Sequence, residues 1–208
     1  MSLYPWTTSS ELQHDLVYGD VKVSKSGLKT VDLKIQKEIT VKFVLQTPRM
    51  RMPFGISAYG GDLKSSKLQL EFVEGSPFHT FCMGIDEANL KHAVKIQSAL
   101  LETRNKKAEL IAEKQFKLVS ESKGAYPPSL KVKVPYTNEL VCSTIIVDED
   151  HKRATVDDVP RRGEAIAIIE ITGLWATASG WGATTRLAQL KFFPESDEEE
   201  EPALMFTE

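Results

Sequence analysis

The sequence predicts a mainly antiparallel β domain, either a barrel or a sandwich, with one helix inserted between its strands. Several segments alternate apolar and polar residues with a period of two, which is typical of strands that have one face on a core and one face in water. A single longer segment, 86–105, has the spacing of an amphipathic helix. Helices and strands do not alternate along the chain, so a parallel α/β fold is not expected.

The first strands lie near the N-terminus. Residues 17–23 fit a short strand, and clean alternation predicts two further strands at 30–36 and 39–46. Lys34 and Lys42 fall on the solvent-facing sides of these two strands. Solubility explains either lysine singly, and contact with nucleic acid is the alternative that we keep for both.

A loop at 46–59 interleaves basic, apolar and aromatic side chains. Arg49 and Arg51 flank Met50, and Phe54 follows within a Pro-Phe-Gly turn. Such interleaving suits an edge that contacts single-stranded nucleic acid, because rings stack on bases and basic groups meet phosphates. The alternative is that the apolar members fold into the core, which we favour for Phe54 and not for the two arginines.

The inserted helix is predicted to begin after Asp86, a good N-cap residue, and to end near Asn105. It follows a strand that is predicted at 68–72. The next stretch, 108–120, fits either a continued helix or the beginning of a strand, and the sequence does not decide between them.

Two more strands are predicted after the helix. Residues 130–134 alternate and place Lys131 and Lys133 on an exposed face, and residues 140–147 are apolar enough for a buried strand. The charged connection at 148–162 is expected to be an exposed loop that contains a short hairpin.

The segment 163–193 is the one around which the chain is organised. In its first part, 165–171, apolar residues occupy both odd and even positions. A strand with two apolar faces is expected in the middle of a sheet. A loop of small residues is expected next, with Trp175 and Trp181 at its ends, before a basic strand at 184–193. The two tryptophans either stack on nucleic-acid bases or close the end of a β core, and the segment alone favours neither.

Together these segments favour an OB-type barrel of roughly five core strands, with extra hairpins and one inserted helix. We expect residues 1–194 to form this domain and residues 195–208 to form a disordered tail. The tail holds seven acidic residues and no basic one, which leaves 26 basic and 22 acidic residues in the domain. An acidic tail on a mildly basic body indicates charged partners.

Composition excludes several classes of protein. The chain has no apolar run long enough to span a membrane, and its N-terminus lacks the basic and apolar regions of a secretory signal. Cys82 and Cys142 lie in apolar contexts without the spacing of metal ligands. We therefore expect buried free thiols in a reducing, intracellular compartment.

The sequence also lacks the motifs of common catalytic and nucleotide-binding sites. It contains no Walker loop, nucleophile elbow, zincin motif or dinucleotide-binding motif, and its four histidines have no ligand spacing. Asp148, Glu149 and Asp150 form an acidic cluster, which a solvated loop explains better than a metal site does. We expect a protein that is not an enzyme and that uses neither a metal nor a cofactor.

Three features resemble the OB-fold single-stranded-DNA-binding proteins of large DNA viruses and of some tailed phages. The first is segment 51–72, RMPFGISAYGGDLKSSKLQLEF, in which a Pro-Phe-Gly loop precedes a strand. The second is a closing block at 173–191 with the groups GLW, WG and QLK, and the third is the acidic C-terminus. These features span residues 40–208.

The resemblance implies non-sequence-specific binding of single-stranded DNA in replication, recombination or repair, in the cytoplasm or nucleus of an infected host. It also implies a tail that competes with DNA and recruits replication proteins such as a polymerase or a helicase. The tail departs from the usual pattern, because Phe206 is followed by Thr207 and Glu208 instead of ending the chain. A homodimer stays open, and the alternative function is a protein-interaction or virion-structural β domain without DNA affinity.

The residues expected to contact nucleic acid are basic or aromatic and lie on exposed strand faces or in the two loops. They are Lys34, Lys42, Arg49, Arg51, Phe54, Lys131, Lys133, Trp175, Trp181, Arg186 and Lys191. The tail residues expected to bind partners are Glu198, Glu199, Glu200, Glu201 and Phe206.

Overall fold

Strands, both short and long, account for more of the structure than helices do. The computed structural model describes residues 3–5, 12–122, 124–137 and 141–195. Its helices are α1 Leu12–Asp15, α2 Pro77–Lys95, α3 Gln97–Leu100 and α4 Ala108–Ala112. Its strands are β1 Leu16–Val23, β2 Lys29–Gln36, β3 Thr40–Gln46, β4 Met50–Arg51, β5 Ile56–Ser57, β6 Lys67–Glu71, β7 Gln115–Phe116, β8 Val119–Ser120, β9 Ser129–Lys133, β10 Ile145–Val147, β11 Arg153–Ala154, β12 Gly163–Thr177 and β13 Gly180–Pro194.

Strand β12 lies at the centre of the sheet. It pairs with β13 along its whole length and with β2, β3 and β4 on its other side. Ala165, Ala167 and Ile169 are buried, so the predicted central strand is confirmed. The predicted loop of small residues is wrong, because β12 and β13 are each 15 residues long and only residues 178–179 separate them.

Among the described residues the sheet is mainly antiparallel and contains 13 strands, which confirms the predicted fold class with its inserted helix. The main path runs β1-β2-β3-β12-β4-β6-β9-β8, and β13 carries β10 and β7 as parallel neighbours. Within the described residues the sheet does not close into a barrel by main-chain pairing. The Thr185 hydroxyl in β13 instead bridges to β9, donating to the Lys131 carbonyl at 3.2 Å and accepting from the Lys133 N–H at 3.4 Å.

Helix α2 begins earlier than the sequence predicted. Ser76 is the N-cap, since its hydroxyl accepts the His79 N–H at 3.3 Å, and Pro77 occupies the first turn. The predicted N-cap, Asp86, is wrong: it lies inside the helix and is buried. The helix ends at Lys95 instead of near 105, and the short helix α3 follows it.

The two ambiguous or apolar stretches fold into shorter elements than expected. Residues 108–120 contain both alternatives, a one-turn helix α4 followed by the two-residue strands β7 and β8. In the described part of the predicted strand 140–147, residues 141–147, only β10 is formed, and β10 and β11 make the expected hairpin. Both cysteines are free, but Cys82 alone is buried, whereas Cys142 is half-buried.

A separate apolar cluster lies between the end of the β12–β13 hairpin and the helices. It contains Leu174, Ala176 and Trp181 from the hairpin and Ala93, Leu100 and Ile111 from the helices. The helices therefore cover one face of the hairpin end. In the described parts of the chain, none of the helices combines the length and apolarity needed to cross a bilayer.

Candidate nucleic-acid interface

The two tryptophans of the β12–β13 hairpin face in opposite directions. Trp181 is fully buried, and its indole N–H donates to the Ile111 carbonyl at 2.9 Å. The prediction that Trp181 stacks on a base is therefore wrong, and the alternative, a ring that closes the end of the core, is correct for this residue. Trp175 is half-buried and lies between Leu174 and Ala176, which contact the helices, so alternation turns its ring to the open face.

An exposed phenylalanine completes an aromatic pair with Trp175. Phe116 in β7 is 58% exposed, and the two ring centroids are 5.4 Å apart with planes tilted by 36°. Strand β7 can lie here because Gly180 and Gly182 have no side chain: a Cβ on either residue would be 2.6 or 2.5 Å from an atom of Phe116. The small residues near the hairpin turn thus admit β7 alongside β13.

Lysines line the groove of about 890 Å³ next to this pair. Lys67 of β6 and Lys133 of β9 are direct cross-strand partners, and Lys131 lies on the same face of β9. All three are exposed, and none forms an ion pair with any residue that the structure describes. We call this surface the aromatic groove and define it by Trp175, Phe116 and these three lysines.

The aromatic groove keeps a positive balance despite two carboxylates at its margin. Lys117 also lines it and forms an ion pair with Glu121 at 2.6 Å. Glu113 is the second acidic residue in the lining, so the groove holds four lysines and two carboxylates. A surface with this positive balance attracts anionic ligands.

Helix α2 fixes the segment that carries β7. The Asp86 carboxylate accepts the N–H groups of Leu118 at 2.8 Å and Val119 at 3.1 Å, and the Gln115 side chain donates to the Asp86 carbonyl at 3.0 Å. Burial raises the pKa of Asp86 to about 6, although the two N–H groups and the nearby Lys117 ammonium lower it. Through these bonds Asp86 positions the backbone of Leu118 and Val119, which line the aromatic groove.

A second basic surface, the outer face, adjoins the groove. Lys34 and Lys42 are direct cross-strand partners, and the Lys42 ammonium lies 3.0 Å from the Glu170 carboxylate. The register places Arg186 opposite Glu170 and on the same side of β13 as Thr184, which lines the aromatic groove. The outer face, defined by Lys34, Lys42 and Arg186, is therefore continuous with the groove.

Two predicted contacts lie at the other end of the hairpin, where they already have partners. The Arg49 guanidinium is 2.5 Å from the Glu164 carboxylate and lies 4.0 Å from the centroid of the Phe193 ring. The Lys191 ammonium lies 5.3 Å from the same ring and 3.1 Å from the His151 Nε2 atom. These contacts stabilise the end of the hairpin and leave the two cations apart from the aromatic groove.

The loop at 46–59 divides between core and surface. Met50 and Met52 are buried, as the core alternative expected, but Phe54 is 52% exposed, so the core interpretation is wrong for this ring. Arg51 pairs across the strands with Glu71 and lies 3.7 Å from its carboxylate, at the end of β6 opposite the groove. Arg51 and Phe54 are therefore accessible but are not part of the aromatic groove.

Sequence reasoning missed Phe116, Lys67 and Lys117. Phe116 lies in the stretch that fitted helix or strand equally, and its exposure depends on the two distant glycines under it. Lys67 could have been found, because it alternates with the buried Leu68 at the start of a predicted strand. Lys117 carried no pattern that distinguishes it from any surface lysine.

The acidic cluster at 148–150 forms a loop with internal contacts. The Asp148 carboxylate accepts the Lys152 N–H at 2.8 Å, and the Asp150 carboxylate lies 2.9 Å from the Lys152 ammonium. The described residues contain no group of three or more His, Cys, Asp or Glu side chains that could hold a metal ion. The predicted tail contacts, Glu198, Glu199, Glu200, Glu201 and Phe206, lie outside the described residues.

Comparisons with known proteins give structural similarity only. The chain matches no protein-family model and no curated protein sequence. A C-terminally truncated single-stranded DNA-binding protein from bacteriophage Enc34 is 9% identical, with a TM-score of 0.45 over 88% of this chain and 98% of that chain. The single-stranded DNA-binding protein gp2.5 of bacteriophage T7 is 12% identical, with a TM-score of 0.42 over 80% of this chain and 100% of that chain.

Proposed function

We propose that this chain binds single-stranded DNA without sequence preference, through the aromatic groove and the adjoining outer face. One observation carries the proposal. The Phe116 ring is exposed against Trp175, directly beside lysines that have no ion-pair partner among the described residues. An aromatic pair with adjacent cations matches the two parts of a single strand, since bases stack on rings and phosphates meet ammonium groups.

The arrangement of like charges supports a polyanionic ligand. Lys67 faces Lys133 and Lys34 faces Lys42 across neighbouring strands, and such like-charged pairs destabilise a sheet. The Lys42 ammonium is paired with Glu170, whereas neither Lys67 nor Lys133 forms an ion pair with a described carboxylate. A bound phosphate backbone removes this repulsion, and the release of its counterions favours binding.

The groove selects single strands by geometry and tolerates any base sequence. Stacking on Phe116 and Trp175 requires an unstacked base face, which a duplex does not offer. Every base has such a face, so stacking does not discriminate among the four bases. We propose a binding role in replication, recombination or repair, without catalysis, in which the acidic tail recruits other replication proteins.

The test is a fluorescence-anisotropy titration of labelled oligo-dT and of a matched duplex at two salt concentrations. We expect the wild-type protein to prefer oligo-dT, with an affinity that falls steeply with salt. Each neutralised phosphate in a single strand contributes a log–log slope of about −0.7. The double variant Lys131→Gln/Lys133→Gln should therefore flatten the slope by about 1.4 if each lysine neutralises one phosphate.

The matched control is Lys37→Gln/Lys152→Gln, which removes the same charge at exposed positions that do not line the groove. The control should keep the wild-type slope. A salt-independent affinity, equal binding of duplex and single strand, or equal loss in both double variants would contradict the proposal. The absence of any DNA binding at low salt would instead favour the protein-interaction alternative.

A further inference from the structure

The lining of the aromatic groove continues past Phe116 toward the turn between β12 and β13. Gly180 lies under both Phe116 and Lys114, since a Cβ built there would be 2.6 Å from the phenyl ring and 2.7 Å from the Lys114 carbonyl oxygen. The same carbonyl accepts a hydrogen bond from the main-chain N–H of Trp181 at 3.0 Å, so the main chain at Lys114 is held beside the hairpin. Lys114 itself is exposed.

Lys106, in the loop between α3 and α4, lies near Lys114 at the turn of the β12–β13 hairpin. Lys106 and Lys114 line one hollow of about 80 Å³ at the hairpin end, together with Thr177 and Ala178. The Lys106 N–H donates to the Gln97 side-chain oxygen at 2.9 Å, which fixes the loop against α3. Neither lysine forms an ion pair within the described ranges.

The surroundings leave this end of the hairpin positive. The loop also carries Arg104 and Lys107, which are both exposed. Its acidic residue, Glu102, is compensated by the Lys29 ammonium at 2.6 Å, and this pairing lowers the pKa of Glu102. Glu109 and Glu113 are the nearby acidic residues in α4 and directly after it.

We propose that Lys106 and Lys114 form a second phosphate-binding site, which extends the path of a bound strand from the aromatic groove around the hairpin turn. This inference rests on the proposed function. The order follows β13: Thr185 bonds to the main chain of Lys131 and Lys133, Gly182 pairs with Trp175, and Gly180 at the turn lies beside Lys114. A short oligonucleotide stacked on the aromatic pair meets the first set only, whereas a longer one reaches both.

The test measures how strongly short and long oligonucleotides bind when one or the other set of lysines is removed. Binding of oligo-dT of about 4 and about 16 nucleotides, the range of site sizes for one OB domain, is measured for wild type and for Lys106→Gln/Lys114→Gln. We expect the variant to bind the short strand like wild type and to lose affinity for the long one. Its salt slope for the long strand should be flatter by about 1.4, as expected for two lost phosphate contacts.

Two matched variants make the result specific. Lys131→Gln/Lys133→Gln should weaken both lengths, and Lys37→Gln/Lys152→Gln should weaken neither. Unchanged binding of the long strand by Lys106→Gln/Lys114→Gln, or equal loss at both lengths, would overturn the second site and leave the groove intact. A wild-type protein that binds neither length would overturn the proposed function itself. Thermal unfolding of each variant shows whether the fold is kept.

Discussion

Trp175 and Trp181 lie six positions apart among similar small neighbours, yet the structure gives them opposite roles. Trp181 lies in the apolar cluster under the helices, and its indole N–H donates a hydrogen bond to the Ile111 carbonyl. Trp175 is half-buried on the opposite face, where its ring packs against the exposed Phe116 ring. Successive side chains of a strand point to opposite faces of the sheet. A shift of one residue along β12 or β13 would therefore exchange the face that each ring occupies.

Alanine substitutions should separate the two roles. Trp175→Ala should remain folded and lose roughly 1–3 kcal/mol of oligo-dT binding, because one stacking surface is removed. Trp181→Ala should lose about 3–5 kcal/mol of folding free energy, because a large buried side chain is deleted and a hydrogen bond is lost. Denaturant titration and oligo-dT titration on both variants measure the two losses. The interpretation fails if Trp175→Ala unfolds the protein or binds like wild type.

Helix α2 is the element that couples the core to the aromatic groove. Its Asp86 carboxylate holds the backbone directly after β7 by two N–H bonds, and the parallel pairing of β7 with β13 holds the other side. Burial raises the pKa of Asp86 to about 6, from an ordinary value of 3.8. The folded state therefore binds a proton more tightly than the unfolded state does, so this group lowers the free energy of unfolding as pH rises from about 4 to about 6.

The variant Asp86→Asn should remove that pH dependence. Between pH 4 and 6 the wild-type protein should lose stability relative to the variant as pH rises, and the difference should be constant above about pH 7. The variant should also bind oligo-dT more weakly, because an amide has one oxygen for two N–H donors and its own NH₂ group opposes the second. Denaturant unfolding at several pH values checks the first result, and anisotropy checks the second.

Glu87→Gln is the matched control, since Glu87 is the exposed neighbour on the same helix and pairs with Lys91. It should leave both the binding and the pH profile of stability near wild type. A difference between wild type and Asp86→Asn that stays constant from pH 4 to 7 would contradict a buried, titrating carboxylate.

Elements were predictable from the sequence where their pattern is local. Strands β2, β3, β6 and β9 follow a period of two, and their exposed lysines followed from the same pattern. Two-residue strands such as β7 have no period, because tertiary contacts alone define them. The beginning of α2 was misplaced because Ser76-Pro77 and Asp86-Glu87 both fit the start of a helix, and only burial of Asp86 against residues 118–119 decides.

The candidate site shows the same division. Lys131, Lys133 and Trp175 were predicted from alternation and composition, and the structure brings them into one groove. Phe116 could not be predicted, since its position depends on two glycines more than 60 residues away in the chain. Arg49 and Lys191 looked like free cations in the sequence, but folding gives both of them the Phe193 ring as a neighbour.

At the scale of the whole molecule the charge is divided between body and tail. Residues 1–194 hold 26 basic and 22 acidic residues, and residues 195–208 hold seven acidic and no basic residues. The last strand ends beside the start of β12, where Pro194 pairs with Gly163, so the tail begins at the folded body. Tethering gives such a segment a high effective concentration at any basic surface within its reach.

Removing the tail should therefore strengthen DNA binding. A protein that ends after Pro194 should bind oligo-dT more tightly than the full chain, and most so at low salt, where screening between the tail and the groove is weakest. The same truncation should abolish the recruitment that we propose for the tail, because Leu204, Met205 and Phe206 would offer apolar side chains beside carboxylates to a basic, apolar pocket on a partner. Anisotropy at two salt concentrations measures the first effect.

Two variants of the full chain separate competition from recruitment. Replacing the four consecutive glutamates at 198–201 by glutamine removes charge and keeps Phe206, so DNA binding should tighten while the apolar end stays available. Phe206→Ala keeps the charge, so DNA binding should stay at the wild-type level while partner capture weakens. Equal DNA affinity of the full and truncated proteins at low salt would remove the competition model. If the tail only keeps the protein soluble, the full and truncated proteins should bind DNA equally, because such a tail does not compete with DNA for the groove.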